Sequence, residues 1–198
     1  MTRLAIIGPT GTGKSRLCRH LGELGAEVVE ADRVGHEVLE RAGVREHILA
    51  AFGPEVLGAD GAIDRAALGA VVFADPARRE RLDAITHPPL AAALEECLAK
   101  AEQKVPLVIL EAAVYFLLPG PPTVDAVVAV VSTMALRQRR LEALGLTPAQ
   151  ARARIDAQAH LAPTWARADR IITNDGDEAA LAAIARDLYR EYSPGGKP

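Results

Sequence analysis

The eight residues Gly8-Pro9-Thr10-Gly11-Thr12-Gly13-Lys14-Ser15 restrict this chain more than any other stretch. They follow the apolar run LAII and precede residues whose apolar spacing, Leu17, Leu21 and Leu24, is helical. The pattern G-x-x-x-x-G-K-[ST] between a strand and a helix is a phosphate cradle. Its glycines let successive backbone N–H groups point into one concavity, and the helix adds the positive end of its dipole. A compact ammonium at Lys14 suits β- and γ-phosphates, and the Ser15 hydroxyl suits Mg²⁺. The only lysines are Lys14, Lys100, Lys104 and Lys197, so a sequence rich in arginine keeps its one early lysine inside the cradle.

Short apolar strands alternating with helices indicate a parallel sheet with helices on both faces. Strands are read at 4–8, 27–32, 105–111, 125–131 and 170–173. Between the first two, a helix runs from Lys14 to Leu24. One or two helices cover 33–52 with a break near Gly43, and 53–64 is turn-rich. Asp64 caps a helix through Phe73, and Asp75-Pro76 starts another that THPP (86–89) interrupts before it resumes over 90–104. Helices follow over 133–144, from Thr147-Pro148 toward His160, and over 177–192, and SPGGKP is a frayed tail. The stretch between the second and third strands is too long for a simple crossover. It reads as an inserted helical lobe over 36–104, leaving 1–35 and 105–198 as the nucleotide-binding core.

Totals disfavour some partners. A net charge of −3 offers no basic field for nucleic acid. No apolar run approaches the roughly 20 residues of a membrane span. Cys18 and Cys97 stand far apart, as packed thiols suited to a reducing cytoplasm, and the five histidines form no zinc spacing.

Three readings of the cradle compete: a small-molecule kinase, a GTPase-type switch, and a nucleotide-binding module without transfer. Asp32-Arg33-Val34-Gly35 spells D-x-x-G, but only one helix and one short strand separate it from Lys14, leaving no room for a switch loop. No [NT]-K-x-D for guanine occurs. Asp32, at the end of the second strand, lies on the carboxyl edge that the cradle shares. There it can orient or deprotonate an attacking hydroxyl, or hold Mg²⁺ through water; it can also cap the helix at 33–42. Glu111 ends the strongest strand and can serve a magnesium–water shell. Arg137, Arg139, Arg140, Arg152 and Arg154 lie where a lid over 137–160 would bring guanidinium groups to phosphates.

The order and spacing of several further motifs resemble the dephospho-CoA kinase family over nearly the whole chain. They include VVEAD (28–32), DGAIDRAAL (60–68), LDAITHP (82–88), ARARIDAQ (151–158) and ADRIITNDG (168–176). The resemblance implies a P-loop kinase of α/β class. Its adenylate-kinase-like parallel sheet is flanked by helices, with a helical substrate lobe and a helical lid. It implies transfer of the ATP γ-phosphoryl to the ribose 3′-hydroxyl of dephospho-CoA. A cytoplasmic monomer or weak homo-oligomer is expected. Carried over by position, Gly11, Thr12, Gly13, Lys14 and Ser15 hold phosphates and Mg²⁺, and Asp32 is the base. Arg139 is the nucleotide-side arginine, and Asn174 lies in the segment near adenine. Glu30 replaces the family's usual Asp, and residues 113–117 lose the acid of P-L-L-F-E. Ala91 stands where an arginine is usual, and Ala143-Leu144 stand where an Arg-Asp pair is usual. Three acceptor-side outcomes stay open: Arg140 or Arg152 substitutes, another nucleotide-like acceptor is used, or the chain binds nucleotide without transfer.

Overall fold

The computed structural model describes residues 1–73 and 75–193. The tail reading for SPGGKP therefore lies outside the described residues from Pro194 onward. In chain order the elements are β1 (Thr2–Ile7), α1 (Lys14–Glu23), β2 (Glu27–Glu30), α2 (Ala31–Leu39), α3 (Ala42–Phe52), α4 (Arg65–Phe73) and α5 (Pro76–Glu102). They continue with β3 (Leu107–Glu111), β4 (Ala126–Val131), α6 (Met134–Glu142), α7 (Pro148–Asp156), α8 (Ala162–Trp165), β5 (Arg170–Thr173) and α9 (Glu178–Tyr192). The chain divides into two compact units, residues 1–30, 96–116 and 123–198 in the first, and 31–95 with 117–122 in the second.

The first unit carries a five-stranded sheet in the order β2-β3-β1-β4-β5, parallel throughout. Its strands are near-continuous apolar runs because both faces are covered, and Leu4, Ala5 and Ile6 are each fully buried in succession. The register aligns the carboxyl ends: Ile6 faces Glu111, Glu30 faces Glu111, and Val131 faces Thr173. The loop after β1 consequently emerges beside the ends of β3 and β4.

One face is closed by α1 and α9. Leu17, Cys18 and Leu21 of α1 meet Leu181, Ala185 and Leu188 of α9 in a core that also contains Ile6, Ile109 and Val128. Asp177 caps α9, its carboxylate accepting from Ala180 N at 2.9 Å. Leu21→Ala is expected to cost about 2–5 kcal/mol in chemical denaturation, because a fully buried side chain leaves a cavity in packed surroundings.

In the second unit, α3 and α4 pack on the 3-10 turn at Pro54–Val56. The Asp64 carboxylate accepts from Ala66 N and Ala67 N at 2.8 and 3.1 Å, and Asp75 accepts from Ala77 N at 2.9 Å, which are the two helix starts read from sequence. Residues 33–52 fall in two helices that part at residues 40–41, close to the break read near Gly43. THPP does not interrupt α5, which continues through Pro88 and Pro89. The two prolines withhold only two N–H donors in a 27-residue helix. Thr86 Oγ donates to Leu82 O at 2.9 Å just before them, and their face lines a groove with Arg41, Val44 and His47.

Candidate active site

The phosphate loop is built by its neighbours as much as by its own glycines. Gly8 and Gly13 have φ of 133° and 93°, a region that disfavours side chains. A Cβ on Gly8 would collide with the Val130 carbonyl of β4, and one on Gly13 would come within 2.6 Å of Asn174 Nδ2. Asn174, 3% exposed, extends the ladder by donating its backbone N–H to Val131 O at 2.8 Å. Its Nδ2 donates to Thr12 O at 2.7 Å.

Other loop carbonyls are spoken for in the same way. Arg137 Nε donates to Thr10 O at 2.9 Å, Arg140 donates to Thr12 O at 3.3 Å, and the Thr12 hydroxyl donates to Pro9 O at 2.9 Å. With its oxygens held outward, the loop keeps N–H groups for a ligand: those of Gly11, Gly13 and Ser15 meet no acceptor among the described residues. The unsatisfied first-turn donors of α1 join them, as an anion site requires.

At the foot of α1, Ser15 Oγ donates to Glu111 Oε1 at 2.6 Å, so the two residues read independently as magnesium partners meet. Cys18 lies in the same neighbourhood. Burial pushes its thiol well above its ordinary pKa, the Glu111 carboxylate pushes further, and Lys14 opposes both. The thiol is thus kept neutral and is a packing group. A hydroxyl and one carboxylate are the sparse, hard-oxygen set on which Mg²⁺ keeps most of its water and leans on phosphates. No cluster of three or more His, Cys, Asp or Glu side chains suited to a metal occurs among the described residues.

The arginines separate by position. Arg137 is 9% exposed, and burial lowers its pKa from the usual guanidinium value. Arg140 is half-buried and also donates to Gly176 O at 3.3 Å. Asp175 anchors the start of α6, accepting from Ser132 Oγ and Thr133 N at 2.8 and 3.0 Å. These bonds, the backbone one foremost, lower its carboxyl pKa. Arg139 is exposed and has no partner among the described residues. Arg152 pairs with Asp156 at 2.8 Å on the surface of α7. An i, i+3 spacing puts residues 137 and 140 on one helix face, a signal that separates them from Arg139.

Asp32 belongs to the second unit. It sits inside the first turn of α2, which begins at Ala31, so it is not the cap of that helix. Its carboxylate is exposed and has no partner among the described residues. Gln158 has no assigned role in the sequence reading, yet its Oε1 accepts from Thr10 N at 2.6 Å. The helix read as running toward His160 stops at Asp156, leaving Gln158 on a tight turn. Thr147 and Gln150 make a capping box at the other end of that helix.

Comparison with known proteins identifies the lineage of this site. A family model described as dephospho-CoA kinase matches residues 2–180. The chain belongs to the dephospho-CoA kinase family. A dephospho-CoA kinase of Moorella thermoacetica is 38% identical, with 98% of each chain covered. Another from Anaeromyxobacter dehalogenans is 39% identical over 97% of this chain and 94% of its own. Among solved structures, a Thermus thermophilus protein superposes with a TM-score of 0.78 at 28% identity, covering 98% of both chains. An Acinetobacter baumannii shikimate kinase, with a TM-score of 0.52 at 16% identity over 96% of this chain and 92% of its own, shares the fold. The five-stranded parallel sheet of this chain, with these fold neighbours, is the P-loop kinase architecture read from the sequence. The family match also separates this chain from GTPase-type switches. No helix among the described residues is long and apolar enough to cross a membrane.

Proposed function

We propose that this chain transfers the γ-phosphoryl group of ATP to the ribose 3′-hydroxyl of dephospho-CoA, giving coenzyme A and ADP. The observation that carries the reading is the cradle of residues 8–15 with Ser15 bonded to Glu111, in a chain that matches the family along almost its whole length. The acceptor hydroxyl attacks the γ-phosphorus, the bond to the β-bridging oxygen breaks, and the hydroxyl proton passes to Asp32. Loop N–H groups and Lys14 hold the β- and γ-oxygens before and during transfer. Ser15 and Glu111 would hold Mg²⁺, which when bound neutralises charge between those phosphates. The 173–176 segment, with Asn174 fixed on Thr12, lies beside the adenine, and Arg139 reaches the nucleotide from the last turn of α6. The second unit supplies the acceptor lobe together with Asp32. The protein works in the cytoplasm as a monomer or weak homo-oligomer.

The test is product identification. Incubation with ATP, Mg²⁺ and a panel of nucleotide-like acceptors should phosphorylate dephospho-CoA and yield coenzyme A with its phosphate at the 3′ position. Phosphorylation of another acceptor instead would reassign the substrate. ATP binding with no product from any acceptor would make the chain a binding protein.

A further inference from the structure

Thr10 is held at both its backbone N–H and its carbonyl. Arg137 of α6 holds its carbonyl, and Gln158, just beyond α7, holds its N–H. The Gln158 contact has one orientation only: facing an N–H donor, the carboxamide must present its oxygen. Its nitrogen then lies about 2.2 Å from that oxygen, with two N–H donors held next to Thr10. Among the described residues, Nε2 donates to nothing.

The backbone beneath Gln158 is fixed. Gln158 N donates to Ile155 O at 3.1 Å, and Leu161 N donates to Gln158 O at 3.0 Å. Leu161 itself is 2% exposed and anchors the turn. A neutral amide on a fixed backbone, with its oxygen pinned, presents its donors at little cost in reorganisation. Thr10 belongs to the loop between Gly8 and Gly13, so donors held on it lie at the segment to which the kinase reading assigns the phosphates.

Resting on the kinase reading above, we infer that Gln158 is a catalytic residue: its Nε2 donates to an oxygen of the transferring γ-phosphoryl group, while Thr10 N–H orients it through Oε1. The transition state spreads its charge over those three equatorial oxygens, which ADP lacks, so a donor aimed at them serves transfer more than it serves bound ADP. This contact is distinct from a merely structural brace, and the Gln158→Glu variant separates the two. A glutamate keeps an oxygen for Thr10 N–H but replaces the amide donors with negative charge.

The full-length protein, Gln158→Glu and Gln158→Ala are titrated with ADP and with the non-hydrolysable analogue AMP-PNP, each with Mg²⁺, and assayed for turnover. Both variants are expected to bind ADP within about twofold of the parent, which also certifies their fold. Gln158→Glu should bind AMP-PNP at least about tenfold more weakly and lose about 100-fold in kcat. Gln158→Ala should weaken AMP-PNP by about threefold to tenfold and lose about tenfold in kcat. A Gln158→Glu enzyme with the parent's ratio of ADP to AMP-PNP affinity and turnover within threefold overturns the inference, leaving Gln158 a brace. Tighter AMP-PNP binding by Gln158→Ala also overturns it, because the side chain would then be a plug that nucleotide displaces. Failure of the parent protein to bind either nucleotide would overturn the kinase reading and this inference together.

Discussion

Lys14→Ala is expected to lower kcat/KM for ATP by about 10³-fold or more while leaving the melting temperature almost unchanged. The charge that Lys14 supplies has no substitute on the loop, where the other donors are neutral N–H groups. Losing one preorganised donor to a developing oxyanion costs about 10²–10³-fold, and a cationic donor beside several phosphate oxygens lies at or beyond the upper end. Stability should change little because Lys14 opens α1 and is half-buried, whereas the core under the helix is built by Leu17, Cys18 and Leu21. Lys14→Arg is not expected to rescue the loss. A planar fork needs more room than a compact ammonium, and the loop is closed by Asn174 and Arg137 against Gly13 and Gly11. Steady-state kinetics with ATP varied, together with a thermal melt, check the prediction. A variant retaining a tenth of the parent's kcat/KM would remove the ammonium from the mechanism.

Much of this site was legible because it is local. A cradle is defined by eight consecutive residues, and short apolar strands announce a parallel sheet buried on both faces. Glu111 and Ser15 were both legible as ends of regular elements, although their 2.6 Å hydrogen bond depends on register between strands far apart in sequence. The illegible part is tertiary. Five arginines crowd residues 137–154, and composition does not tell which are turned inward. The fold buries Arg137 on Thr10 and leaves Arg139 exposed. Gln158 is illegible for a similar reason. While the preceding helix is read as continuing to His160, a glutamine there is one more polar face residue; ending the helix at Asp156 turns it onto Thr10. Pro88 and Pro89 misled in the opposite direction, since local propensity favours a break that a long helix can absorb.

Asp32→Asn is the variant in which chemistry and structure should part most clearly. The amide has nearly the shape of the carboxylate but neither its charge nor its basicity. Its structural cost is bounded by position: a carboxylate in the first turn of a helix gains about 0.3–1 kcal/mol from the helix dipole, and this one is exposed with no partner among the described residues. Its chemical cost is set by a different scale, since a positioned general base contributes about 10²–10⁴-fold to transfer. Asp32→Asn should therefore bind ATP and melt almost as the parent does, yet lose at least about 100-fold in kcat with dephospho-CoA. Asp32→Ala should lose as much or more, because it also gives up orientation of the hydroxyl. The ATP-binding measurement keeps the result unambiguous: the Asp32 side chain has no hydrogen-bond partner among the described residues, so its replacement leaves the phosphate loop's own hydrogen bonds in place. Turnover within threefold of the parent in Asp32→Asn would leave the residue as a helix-end carboxylate. The proton of the 3′-hydroxyl would then have to leave by way of solvent or the phosphate itself.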